Sequence, residues 1–81
     1  MESPDAEQLE LLLADVLRLS ADVVQDDLAM KDVDTWDSLT HMELIVTIET
    51  AFALDLSFDE IVTMTTVGAI KSVLVEKGVV L

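Results

Sequence analysis

The sequence predicts an all-α fold, a small four-helix bundle of three longer helices and one short one, with a long loop between helices one and two. Two observations carry this prediction: apolar residues recur at three- and four-residue steps over separate windows, and each window opens on a residue type that caps helices. A third supports it, since 81 residues at 52% hydrophobic content can form one core without staples, and the chain has no cysteine for disulfides or thiolate metal sites. Residues 1–81 are therefore read as one domain.

Helix one is expected to start with Ser3 as N-cap, Pro4 at the first helical position, and Asp5 and Glu7 facing the positive end of the dipole. Leu9, Leu12, Leu13, Val16 and Leu17 form its apolar face, Glu10 and Asp15 fall largely off it, and the helix ends near Leu19–Ser20. From Ala21 to Asp37 isolated apolar residues sit among aspartates and no period persists. A loop that long in a small domain is either functional or held down by its own side chains, with Val23, Leu28, Val33 and Trp36 as the natural anchors. Trp36 is expected to pack down and to hydrogen-bond through its indole N–H.

Helix two is predicted from Ser38 to about Ala53, with Asp37 or Ser38 as its cap and Leu44, Ile45, Ile48 and Phe52 toward the core. The same helix carries a second apolar stripe, Leu39, Met42 and Val46, which either binds something or belongs to the core of a tighter bundle. Ser57-Phe58-Asp59-Glu60 spells a capping box and opens a short third helix containing Ile61, Val62 and Met64. Thr65 or Thr66 caps the fourth, in which Val67, Ile70, Val73 and Leu74 keep the helical period and Lys77-Gly78 supplies a basic last turn and a C′ glycine. β-branched residues at 45–48 and 79–80 favour strand by propensity, but the 3.6-residue period over the longer window outweighs them. The expected interior features Leu13, Val16, Leu17, Ile45, Ile48, Phe52, Ile61, Ile70 and Val73.

Seventeen acidic residues face only Arg18, Lys31, Lys71 and Lys77, a formal charge of −13. Such a surface repels nucleic acid and anionic membranes and suits partners with basic patches, besides keeping an apolar domain in solution. No apolar run approaches the roughly 18 residues of a membrane span, and Met1–Asp5 lacks the order of a signal peptide, so the expected compartment is the cytoplasm.

Thr35-Trp36-Asp37-Ser38-Leu39-Thr40-His41-Met42-Glu43-Leu44 places a serine at a loop-to-helix junction, where unpaired N–H groups and the helix dipole would stabilise a phosphate. The plainer role for Ser38 is that of a cap. His41, three residues on, invites comparison with a Ser/His nucleophilic pair; the chain has no glycine-rich turn for an oxyanion hole, and His41 is expected to be a solvated surface residue. Asp32, Asp34 and Asp37 lack the central glycine and final glutamate of a calcium loop, and no metal site is expected.

Asp37-Ser38-Leu39, followed by Glu43-Leu44 and an apolar-rich helix, resembles the attachment motif of acyl carrier proteins. The resemblance covers most of the chain: the helix order, Phe52 near the end of helix two, and Thr65-Thr66-Val67 opening the last helix. It implies a right-handed bundle in which Ser38 receives 4′-phosphopantetheine from coenzyme A, by action of a separate Mg²⁺-dependent phosphopantetheinyl transferase. The arm's terminal thiol would then carry acyl groups, so no cysteine is needed. It implies further that Asp37 helps position the serine and the transferase's metal, and that Leu39, Met42, Glu43, Val46 and Glu49 face acyl-loading and acyl-processing enzymes.

Thr40 and Thr50 stand where many fatty-acid carriers place acids, which thins the partner-facing charge of helix two. The segment from Trp36 to Ile45 resembles discrete carriers of polyketide or related specialised metabolism more closely than housekeeping fatty-acid carriers. The expected protein is a monomeric substrate shuttle, not an enzyme. The alternative is an acidic helical interaction module that binds a basic partner through Leu39, Met42 and Val46 without a prosthetic group.

Overall fold

Four helices follow one another in the order the capping residues dictate: α1 (Pro4–Leu17), α2 (Ser38–Phe52), the short α3 (Phe58–Thr63) and α4 (Val67–Glu76). The structure, a computed structural model, describes residues 4–81; the Ser3 cap expected for helix one lies outside them. Among the described residues there is no strand, only an isolated antiparallel bridge between Ala29 and Thr66, and the all-α prediction holds.

Leu9, Leu13 and Leu17 of α1 are inaccessible to solvent, and Leu12 and Val16 flank them at the rim. The helix stops at Leu17, two residues before the expected end. Arg18 turns into the left-handed region at φ 59°, and the Leu19 N–H reaches back to the Ala14 carbonyl at 2.9 Å. This is a Schellman ending, usually reserved for glycine.

The long loop contains two single turns of 3-10 helix, Ala21–Val23 and Met30–Asp32. Val33 and Trp36 are buried as expected and Leu28 is half-buried, but the Val23 anchor needs correcting: Val23 is 47% exposed and Val24, at 4%, takes its place. The unforeseen 3-10 turn points Val23 outward and leaves the next residue facing the core. Beyond it the loop docks on the start of α4. Val67 N–H donates to Leu28 O at 3.0 Å and Gly68 N–H to Asp26 O at 2.9 Å, while Ala69 N–H is capped by the Thr66 hydroxyl at 3.0 Å. Three helix-end donors that would otherwise lack partners are thereby satisfied, two of them by the loop. A Cβ at Gly68 would stand 3.1 Å from Asp26 O, a tight contact that would push the loop back by a few tenths of an ångström.

α2 is capped by Asp37, and α4 by Thr66 rather than Thr65. Leu44, Ile45 and Ile48 are fully buried, whereas Leu39, Met42 and Val46 are 82%, 49% and 57% exposed, which excludes the tighter-bundle alternative. The Ser57–Glu60 capping box is formed in both directions. α3 buries none of its own residues completely; Ile61 is half-buried, Val62 is exposed, and Met64 just beyond it is sealed in the core. Val16, Phe52 and Ile61, expected in the interior, lie at its edge, while Leu9, Leu44, Met64, Val67, Leu74 and Trp36 join the other expected residues at the centre.

Candidate functional site

The residues from Thr35 to His41 form a junction pinned on several sides. The Thr35 hydroxyl donates to the Leu17 carbonyl at the end of α1. Trp36, only 2% exposed, donates its indole N–H to His41 Nδ1 at 3.0 Å. Asp37 is extended, and its Oδ1 accepts the Thr40 N–H at 2.8 Å. A carboxylate caps well because it accepts the hydrogen bond and sits as an anion at the positive end of the helix. That Thr40 N–H is the first cause holding the Asp37 carboxyl below its usual range, with the Thr40 hydroxyl contributing next.

Because Asp37 takes the capping role, Ser38 becomes the first helical residue and is exposed. No side-chain hydrogen bond ties its hydroxyl to another described residue. The hydroxyl stands in solvent beside the N–H groups of the first turn of α2, so a phosphodiester there displaces no internal partner and meets the favourable end of the dipole. The site fits a phosphate-linked group.

His41 corrects the sequence reading. It is 7% exposed, the one buried polar side chain among the described residues, and not a surface histidine. An indole N–H can only donate, so Nδ1 accepts from Trp36, and Nε2 carries the proton donated to the Ile61 carbonyl at 2.9 Å. With both nitrogens engaged, His41 is not available as a base for Ser38. The signal that would have found it was present: His41 precedes Leu44, Ile45 and Ile48 by three, four and seven residues, which places it on the core arc of α2.

Leu39, Met42, Glu43 and Val46 line one shallow, open groove together with Thr47. Glu49 lies apart from it. That side chain is half-buried, and its Oε2 accepts the Leu56 N–H at 3.0 Å, which pins the connection between α2 and α3. Asp32, Asp34 and Asp37 do not converge: among the described residues no group of three His, Asp or Glu side chains gathers as a metal site.

The bundle and its serine-bearing junction define the class of small helical carrier domains. At the level of sequence, the profile of the phosphopantetheine attachment site family matches residues 7–74, and the chain belongs to that family. It is thus a phosphopantetheine-attachment carrier, of the kind to which acyl carrier proteins belong, and its cofactor is covalently bound 4′-phosphopantetheine. Carrier domains of this family work with phosphopantetheinyl transferases and biosynthetic enzymes. Comparison with curated proteins gives no match.

Proposed function

We propose that Ser38 is the attachment residue, and that the chain carries acyl groups as thioesters and presents them to enzymes of polyketide, fatty-acid or related biosynthesis. The observation that carries this is the exposed Ser38 hydroxyl, left free by the Asp37 cap at the head of α2, inside the stretch that matches the family. The Ser38 oxygen is the nucleophile: it forms the new P–O bond to the pantetheine phosphate of coenzyme A, and 3′,5′-adenosine bisphosphate leaves with the electron pair of the broken anhydride. Its proton goes to a base on the transferase, since His41 is fully engaged and Asp37, held strongly ionised by Thr40, is a weak base.

Asp37 fixes the first turn and offers its remaining carboxylate oxygen toward the transferase's Mg²⁺. Once attached, the arm supplies a terminal thiol that holds the acyl group and delivers it at high effective concentration. Leu39, Met42, Glu43 and Val46 form the docking face; Glu49, one turn farther along α2 and bonded to the Leu56 N–H, supports the α2–α3 connection beside it. Residues 1–81 act as one carrier domain, a monomer in the cytoplasm, and the Trp36–Ile45 segment favours specialised metabolism as the pathway.

Intact mass after incubation with coenzyme A, Mg²⁺ and a broad-specificity phosphopantetheinyl transferase tests the assignment. One phosphopantetheine on the parent and none on Ser38→Ala is the expected result. No addition with several such transferases would favour the interaction module.

A further inference from the structure

The serine at the junction is free, but nearly everything around it is tied, and one tie crosses from the loop to a different helix. Trp36 lies two residues before Ser38 and His41 three after it, so the indole-to-imidazole hydrogen bond closes a ring of six residues around the exposed hydroxyl. The two aromatic rings lie roughly parallel, 30° between planes and 6.1 Å between centroids. From His41 the connection continues through Nε2 to the Ile61 carbonyl. α3 has six residues, so most of its carbonyls have no helical partner; that of Ile61 receives only a long 3.3 Å bond from Met64 N–H besides the imidazole.

Every member of this relay is buried or half-buried, whereas Leu39 beside Ser38 and Val62 beside Ile61 are exposed. The relay therefore sets, from inside, how the accessible surfaces of α2 and α3 stand relative to the serine. An enzyme that must reach the Ser38 hydroxyl while resting on those surfaces depends on that setting.

We propose that His41 is a positioning residue for group transfer at Ser38: clamped between Trp36 and the Ile61 carbonyl, its imidazole fixes the loop-to-helix junction against α3. The inference rests on the assignment of Ser38 as the attachment residue. It differs from a role in stability alone because it couples two places, the first turn of α2 and the last turn of α3, through a single side chain.

The test uses the full 81-residue chain. His41→Phe keeps the ring volume and removes both hydrogen bonds, His41→Gln keeps an acceptor and a donor, and Trp36→Phe removes the indole donor while leaving the bond to Ile61. Transferase kinetics are measured with coenzyme A and Mg²⁺, at a temperature where circular dichroism shows each variant folded. The KM for the carrier should rise about three- to tenfold in His41→Phe and in Trp36→Phe with kcat within about twofold, and the double variant should do no more than the worse single, as expected for one shared interaction. His41→Gln should recover most of the loss. Unchanged KM in the folded single variants, or effects that simply add, would overturn the proposal. Should His41→Phe fail to fold, Trp36→Phe decides.

Amide exchange on the same proteins separates this inference from the assignment it rests on. Thr40, capped by Asp37, and Met64, bonded to Ile61, should lose protection together in His41→Phe. A parent that takes no arm on Ser38 refutes the attachment assignment, and the coupled exchange at Thr40 and Met64 then judges the clamp by itself. Loss of protection at Met64 with none at Thr40 refutes the clamp.

Discussion

A one-residue difference in who caps α2 decides what Ser38 is free to do. Both Asp37 and Ser38 qualified by type, and the sequence left the choice open; the structure gives the cap to Asp37. Ser38→Ala is accordingly expected to abolish loading yet to change stability by no more than about 0.5 kcal/mol in urea unfolding, because no cap is lost. Asp37→Asn tests the charge. The folded-state pKa of Asp37 lies below its ordinary 3.8, so its stabilising contribution is present above that value and is lost as pH falls through the lower folded value. The stability difference between parent and Asp37→Asn should therefore be constant near neutral pH and shrink once the pH drops below about 4.

Glu60, lowered by the Ser57 N–H and then by Lys77, adds a second group of the same sign in the same acid range. What the sequence disclosed here was uneven. The burial and hydrogen bonding of Trp36 followed from its type, but its partner did not, because a histidine's type does not distinguish a buried acceptor on the core arc from a solvated side chain.

Among the elements, starts were easier to foresee than stops. Capping residues announce a helix, and Asp37, Ser57 and Thr66 all do so. The stops use one device three times: Leu19, Leu54 and Val79 N–H groups each reach back five residues, across Arg18, Ala53 and Gly78 at positive φ. Only Gly78 is a residue type that signals this ending, so the sequence carries α1 past Leu17 where Arg18 in fact turns the chain. An L-residue in the left-handed region costs roughly 1 kcal/mol, partly offset by the greater freedom glycine has when unfolded. Ala53→Gly should thus stabilise, and Gly78→Ala destabilise, each by about 0.5 kcal/mol in urea unfolding. Space is not the reason, since a Cβ at Gly78 meets nothing within 4 Å. The long loop was recognised by its broken period, while its phase was lost at Val23 and Val24 because a 3-10 turn leaves no periodic trace in three residues.

The whole molecule is governed by its charge of −13. Lys71 bonds Asp26 at 2.7 Å and lies 4.0 Å from Glu10, and Lys77 holds Glu60 at 2.9 Å, so two of the four basic residues serve to fasten the loop, α1 and α3 to α4. Solvent screens such pairs at the surface, so they fasten the elements locally without cancelling the repulsion among the remaining carboxylates. Added salt should have two opposite effects. Raising ionic strength from about 0.01 to about 0.15 M shortens the screening length from about 30 to about 8 Å, which should raise the chain's own unfolding midpoint while slowing transfer between carrier and partner enzymes. Transfer rates indifferent to salt would count against an electrostatically steered encounter. Charge sign and scale were plain from composition; their distribution among particular lysines was not, because those pairs join residues far apart in the chain.

The burial of Trp36 beside His41 has an optical consequence. The chain has one tryptophan and no tyrosine, so near-ultraviolet absorption and excited emission come almost entirely from an indole two residues from Ser38. Its dry surroundings favour emission at the short-wavelength end of the tryptophan band. The protein thus carries a built-in, label-free chromophore at the junction, whose emission should shift if arm attachment at Ser38 disturbs the Trp36–His41 packing.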